Sequence, residues 1–452
     1  MPVMKVIVIG GVAAGMSAAS KLKRLIEQAE ITVYEKGGYL SYGACGLPYY
    51  IADYFDDDTK MIARTKEDFE AMGISCRLHH EVIKVIPDQK QVLIKDLTTG
   101  EIFSDFYDKL MVASGAPAIV PTFEGTELEN IATLKTLDDG LRLKALLAKE
   151  NIKKVAIVGG GYIGVEMSEA LRAIGKETYV FQSGDRVLKP FDREFSEMAG
   201  KEMEKNGVKL ILGERVKAFT GHKTVNKVIT DKSEYAVDFV LVAIGVRPDL
   251  SFLEGLDYEK AENGAIIVDS EMRTSIEDVY AAGDCAAIKH MIKDKHAYIA
   301  LGTTANKGGR VAGENIAGGH VEYVGTLGSA AIKVFDLELA RTGLGEAEAL
   351  EAGLDYKTVV VKAPSSANYY PGASPLLIKV IYENRSGRIL GAQAAGTKGA
   401  VHRVDMFAIA IQANMTTGEL GNADLCYAPP FASVWDAVNI ASNAAKSTGF
   451  LG

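Results

Sequence analysis

One pattern occurs twice in this chain of 452 residues and restricts its fold more than any other feature. Residues 5 to 35 contain KVIVIGGVAAG, then SAASKLKRLIEQ, then EITVYEK. They read as an apolar β-branched strand, a glycine turn, a stretch with helical spacing, and a second strand ending in an acid, Glu35. Residues 154 to 182, KVAIVGGGYIGVEMSEALRAIGKETYVFQ, repeat that order. A strand that enters a helix through so tight a turn makes a βαβ unit. Its backbone N–H groups and helix N-terminus meet a pyrophosphate, and a side chain about 20 residues further on meets a ribose. Two such units predict an α/β chain with two dinucleotide-binding domains.

The two copies differ in detail. The first has Gly10, Val12 and Gly15 at the three fingerprint positions, with Gly11 displaced by one and Ala13 and Ala14 inside the motif; Lys36 follows Glu35. The second has the full set, Gly159, Gly161 and Gly164, around Tyr162 and Ile163, but ends in Gln182 where the first has its acid. Without that acid NADPH stays open beside NADH. Arg186 and Lys189 follow within reach of a 2′-phosphate, and a solvated loop would carry the same charges. Three more apolar strands run into small-residue turns: YDKLMVASGA with Ser114 and Gly115, FVLVAIGVRPD with Gly245, and DVYAAGDCA with Asp284. Asp284 suits either a ribityl hydroxyl or the cap of a following helix.

Composition sets the outer bounds. At roughly 100–200 residues per domain the length suggests about three units. A hydrophobic content of 48% and a charged content of 24% are those of an ordinary globular chain, and no apolar run is long enough to span a bilayer. MPVMKVIVIGG lacks the charged start and cleavage site of a secretory signal and reads as a first strand. A net charge of −9 argues against nucleic acid as a primary partner. Cys45, Cys76, Cys285 and Cys426 form no CxxC pair, so neither a metal site nor a structural disulfide is expected, and a reducing, cytoplasmic setting fits.

Taken in order, VIGGVAAG, SGA, VGGGYIGVE, GVRPD and AAGDCA resemble the flavoprotein pyridine nucleotide-disulfide reductase superfamily over essentially the whole length. The resemblance implies an α/β fold of two Rossmann-like domains, for FAD and NAD(P), and a C-terminal α+β dimerisation domain. It places the discontinuous FAD domain at 1–115 and 250–325, the NAD(P) domain at 116–249, and the dimerisation domain at 326–452, in a homodimer. The alternating stretches GTLGSAAIKVFDLELARTGL and LLIKVIYENRSGRILGAQAAG supply strands for the last. It also assigns the cofactor contacts to the fingerprint residues named above, with Glu35, Lys36, Ser114, Gly115, Gln182, Gly245, Asp284 and Thr304. No rhodanese-like segment is expected to follow.

Enzymes of this superfamily with paired cysteines carry C-x-x-x-x-C, but five residues either side of Cys45 stand Leu40 and Tyr50. The chain therefore resembles the single-cysteine branch: coenzyme A-disulfide reductases, NADH oxidases, NADH peroxidases and polysulfide reductases. GGVAAGM lacks the histidine usual in the peroxidase and water-forming oxidase turn. SANYYPGASPL and CYAPPFAS resemble the coenzyme A-disulfide reductase group, whose two functional tyrosines, given by the partner subunit, fall on Tyr370 and Tyr427. The same resemblance places coenzyme A contacts on Ser17, Lys21, Arg24, Ser41 and Arg77. Ser366 stands where a histidine is common and Trp435 where a lysine can help.

Pro48 suits a first helical turn, so CGLPYYIADYF sets Cys45 just ahead of a helix, where a thiolate is favoured. The expected chemistry is attack by Cys45 on a disulfide such as that of coenzyme A, leaving a mixed disulfide whose second thiol is the substrate's own. The alternatives are an NADH oxidase in which Cys45 cycles through a sulfenic acid, and a redox sensor with a coenzyme A-capped cysteine.

Overall fold

The computed structural model describes residues 3–445. Strand β1 (Lys5–Ile9) is apolar and buried from Val6 onward, and a glycine turn leads it into helix α1 (Ala13–Leu25). The helical spacing read to Gln28 stops at Leu25: the Ala29 N–H bonds the Ile26 carbonyl, and Ala29 is buried, which turns the chain into β2 (Glu30–Glu35). After the short helix α2 (Leu47–Ile51) come β3 (Ile74–Leu78) and β4 (Lys109–Val112).

The second unit begins with β5 (Ile131–Thr133) and α3 (Leu137–Leu147), continues through β6 (Lys154–Val158), α4 (Tyr162–Ala173), β7 (Glu177–Gln182), α5 (Arg193–Lys205) and β8 (Lys209–Leu212), and ends with β9 (Phe239–Val242). Then β10 (Val279–Ala281) returns to the first sheet beside β4. The two parallel sheets run β10-β4-β1-β2-β3 and β8-β7-β6-β9-β5. In each, the strand after the glycine turn lies on one side of the first strand and the late strand on the other. The crevice at that reversal, beyond the carboxyl ends of the strands, is where such sheets take ligands.

Helix α6 (Gly302–Ile316) crosses α1 through small residues: a methyl group added at Gly309 or Gly313 would sit 2.3 or 2.4 Å from the carbonyl oxygens of Ala14 and Ala18. The C-terminal sheet is antiparallel, ordered β11-β12-β15-β14-β13, from β11 (Ala330–Val334), β12 (Leu337–Gly343), β13 (Tyr356–Pro364), β14 (Pro375–Glu383) and β15 (Ile389–Gly396). Helix α7 (Glu346–Glu351) follows β12, and α8 (Ala400–Gln412) packs on β12 and β15. The strand β11 alternates as its sequence suggests. By contrast β15 is buried at every residue, because its glycines and alanines let both faces be covered. Lys379 ties this sheet to the second unit, its buried ammonium meeting Asp192 and Glu194 at 2.9 Å and Glu346 at 2.7 Å. Among the described residues no helix is long and apolar enough to cross a membrane, and no cluster of side chains suits a metal ion.

Candidate active site

The two glycine turns are built alike, atom by atom. Gly10 and Gly159 take φ of +98° and +116°, a conformation side chains rarely adopt. An added methyl would meet the Ala113 oxygen at 2.3 Å in one and the Ala243 oxygen at 2.2 Å in the other. A methyl on Gly15 or Gly164 would lie 1.9 Å from the carbonyl oxygen of Gly10 or Gly159, so helix and strand touch backbone to backbone. Val12 occupies the N-cap position of α1 and Gly161 that of α4; neither helix start is capped by a side chain, which leaves first-turn N–H groups for an anion. Glu35 accepts from the N–H of Gly11 at 2.7 Å and of Gly37 at 2.6 Å, and Gln182 accepts from Gly160 at 3.0 Å. A carboxylate keeps lone pairs for a ribose hydroxyl beyond these bonds. The residues present therefore fit FAD in the first crevice and a nicotinamide nucleotide in the second.

The other cofactor candidates fall around these turns. Ser114 and Gly115 follow β4, Gly245 follows β9, and Thr304 is buried in the first turn of α6. Ala13 and Ala14 open α1; Tyr162 and Ile163 open α4. Lys36 points to solvent, 3.7 Å from Glu81. Asp284 caps no helix: a strand, Ala286–His290, follows, and its carboxylate instead accepts from the Lys135 ammonium at 2.8 Å.

Cys45 lies in a single 3₁₀ turn, Ala44–Gly46, that runs directly into α2, with Pro48 in the first helical turn as expected. Buried Leu47, Pro48, Tyr50 and Ile51 anchor α2. From α3, Lys144 holds its far end, donating to the Tyr50 carbonyl at 2.7 Å and pairing with Asp53 at 2.6 Å. The thiol is free and exposed, whereas Cys76 and Cys285 are buried elsewhere. Its electrostatics differ from the expected thiolate. Burial raises the Cys45 pKa, Glu166 raises it further, Lys135 lowers it and Asp284 raises it. A helix of five residues offers little dipole against two carboxylates.

Glu166, on α4, was passed over in the sequence although it ends the quoted VGGGYIGVE. Burial, with the charge of Glu169, raises its pKa to about 7, so it exchanges a proton near neutrality. Glu169 is itself tied to the Lys333 ammonium and, at 2.7 Å, to the Phe335 N–H, and it receives the Tyr54 hydroxyl at 3.4 Å. Lys135 was also missed; it belongs to no glycine motif.

In the C-terminal domain two loops meet at Arg403 of α8. The buried guanidinium pairs with Asp436 at 2.8 Å and donates to the carbonyls of Ser365 at 2.9 Å and Phe431 at 3.3 Å. The phenols that approach each other across these loops are Tyr369 and Tyr427, 3.5 Å apart. Tyr370 makes no such contact; its N–H closes a turn onto Ala367. The rim is apolar and open, with Phe431 76% and Trp435 55% exposed, while Ser366 is only 3% exposed and presents no side chain there.

The proposed substrate contacts lie on α1, on β3 and beside the Gly11 turn. Ser17 is bonded to Asn306 at 2.8 Å, and Lys21 is paired with Glu314 at 2.9 Å, both on α6. Arg24 is exposed in the last turn of α1, and Arg77 is exposed on β3 at the sheet edge. Ser41 has a φ of +47° and brackets the Gly11 turn, its N–H bonding the Gly11 carbonyl at 2.9 Å.

Comparison with known proteins agrees with this architecture. The family model for pyridine nucleotide-disulphide oxidoreductases matches residues 4–309, and that for their dimerisation domain matches residues 329–438. An NAD(P)H coenzyme A polysulfide/persulfide reductase of Pyrococcus horikoshii is 38% identical over 98% of both chains. An NADH oxidase of Methanocaldococcus jannaschii is 34% identical over 97% of this chain and 98% of its own. The crystal structure of reduced Bacillus anthracis CoADR-RHD superposes with a TM-score of 0.95 at 36% identity, covering 98% of this chain and 80% of that one.

Proposed function

Because the chain belongs to the pyridine nucleotide-disulphide oxidoreductase family, we propose that it uses NAD(P)H to reduce the disulfide of coenzyme A, or a persulfide or polysulfide carried on coenzyme A, through Cys45. One observation carries this reading: Cys45 is an exposed free thiol, and the neighbouring positions offer no second cysteine to close a ring with it. The resolving thiol then has to arrive with the substrate. The Cys45 thiolate attacks one sulfur of the substrate disulfide, the S–S bond breaks, and the departing thiolate takes a proton. FAD, when bound, supplies the two electrons from NAD(P)H that cleave the resulting mixed disulfide. Glu166 holds an exchangeable proton beside Cys45, and Tyr369 with Tyr427, from the partner subunit, donates a hydrogen bond to the leaving sulfur. Tyr369 replaces Tyr370 in that role because its phenol is the one that reaches Tyr427.

We propose the domain division 1–115 with 250–325, 116–249 and 326–452, and two exposed free thiols suit a reducing cytoplasm. NADPH is accepted as well as NADH. Gln182 brings no charge to repel a 2′-phosphate, and Arg186 carries a buried Nε without a partner in the loop that follows. Failure to oxidise NADPH would overturn that point.

Steady-state reduction of coenzyme A disulfide tests the main reading. Cys45→Ser should abolish it, and retention of turnover sinks the mechanism. The relative named as an NADH oxidase favours a second reading, reduction of dioxygen. Fast oxygen uptake without any disulfide would support it.

A further inference from the structure

The charges around Cys45 are uneven. Glu166 on α4 and Asp284 beyond β10 both oppose ionisation of the thiol; Tyr49 on α2 is a phenol whose proton is held by burial and by Glu166 and Glu169. The cation with the largest effect on Cys45 is Lys135. It stands immediately before the Thr136 N-cap of α3 and is held at both ends. Its N–H donates to Asp139 Oδ2 at 3.1 Å, within a capping box, and its Nζ donates to Asp284 Oδ2 at 2.8 Å. Helix α3 is in turn seated on the cysteine's own helix: a methyl at Gly140 would lie 2.5 Å from the Leu47 side chain. A stiff path therefore runs from Lys135 through α3 to α2, and its charged end is aimed by an acid from the other nucleotide unit.

We propose that Lys135 is a positioning residue for the Cys45 thiolate: Asp284 holds its ammonium where it supplies the positive charge Cys45 needs to attack at neutral pH. The proposal rests on Cys45 being the attacking sulfur. A thiol flanked by two carboxylates is a poor nucleophile at pH 7, and a nearby cation shifts the ionisation toward the thiolate. The same pair couples the two nucleotide units, since Lys135 precedes the second sheet's helix and Asp284 lies in the turn that follows a strand of the first.

Alkylation of the reduced holoenzyme with iodoacetamide across a pH series, with free N-acetylcysteine as the reference thiol in the same tube, followed by the mass of the Cys45 peptide, tests this. Lys135→Met should move the Cys45 midpoint to higher pH and slow its alkylation at pH 7 about tenfold, one pKa unit, while the reference thiol is unaffected. Lys135→Arg should restore most of the rate. If Lys135 only joins the two units, Lys135→Met lowers the melting temperature and leaves the Cys45 midpoint in place, which overturns the proposal. An equal shift in Lys135→Arg and Lys135→Met overturns it too. The readout is separate from turnover: a Cys45→Ser enzyme that still reduces disulfides would refute the attacking role of Cys45, whatever the alkylation profile shows.

Discussion

A pair of adjacent tyrosines shows what residue-scale reading can and cannot reach. The segment SANYYPG offers Tyr369 and Tyr370 in tandem, and nothing in their spacing says which phenol turns toward Tyr427. That depends on the turn closed from the Tyr370 N–H to Ala367. With Tyr369 facing Tyr427, Tyr369→Phe should lower kcat for disulfide reduction about a hundredfold, the scale of a lost proton donor, while Tyr370→Phe stays near wild type. Stopped-flow release of the thiol product distinguishes them, and the reverse order would return the role to Tyr370. Glu166 was illegible for a different reason: its identity is plain in VGGGYIGVE, but its chemistry comes first from burial against α2, a partner distant in sequence, and then from Glu169, one turn along its own helix. Its raised pKa has a consequence for stability. Between the ordinary glutamate range and about pH 7 the folded protein binds more protons than the unfolded chain, so stability from this group is full at low pH and falls as pH rises. Glu166→Gln should therefore melt with the wild type at pH 5 and be more stable at pH 8, by about 2 kcal/mol. Equal melting at both pH values would remove Glu166 from the titrating set.

Whole elements were easier to read where backbone geometry forces residue choice. The turns at Gly10 and Gly159 admit no side chain, so their glycines stand out in the sequence, and each places its strand, its helix and the Glu35 or Gln182 side chain that bonds it. The strand β15 was harder, since its small residues are buried on both faces and erase the alternation that marks a half-buried strand. The loops bearing Tyr369 and Tyr427 have no regular pattern; what aligns them is Arg403, a helix residue whose partners lie in both loops. Its side chain is 8% exposed and that of Asp436 is 6% exposed. Arg403→Leu leaves the carboxylate buried without its cation, a change that costs about 3–5 kcal/mol. We expect a denaturation midpoint lowered to match and loss of disulfide reduction. Flavin bound in the distant first crevice should keep its absorbance spectrum. A variant with unchanged activity would show that the two loops hold their places without the arginine.

At the scale of the molecule, the tyrosine pair lies on the C-terminal domain, in a rim of exposed aromatic side chains, and neither phenol is among the groups with the largest effect on Cys45 of the same chain. A dimerisation domain that presents such a rim completes the site only if it faces the partner's cysteine, an isologous arrangement in which each subunit lends its tyrosines to the other. This predicts complementation between two inactive variants. In a hybrid of a Cys45→Ser subunit with a Tyr427→Phe subunit, one of the two sites joins an intact Cys45 to an intact Tyr427 from across the interface, and the other site is doubly defective. Random assembly of equal amounts makes half the dimers hybrid, so co-expressed variants should recover about a quarter of wild-type turnover. Mixing separately purified homodimers without subunit exchange should recover none. If each chain used its own tyrosines, every site in the hybrid would carry one lesion, and co-expression would yield no more than the average of the two parents. Co-purification through tags on the two subunits isolates the hybrid, and its specific activity, near half of wild type or near that of the parents, decides whether the site is shared between chains.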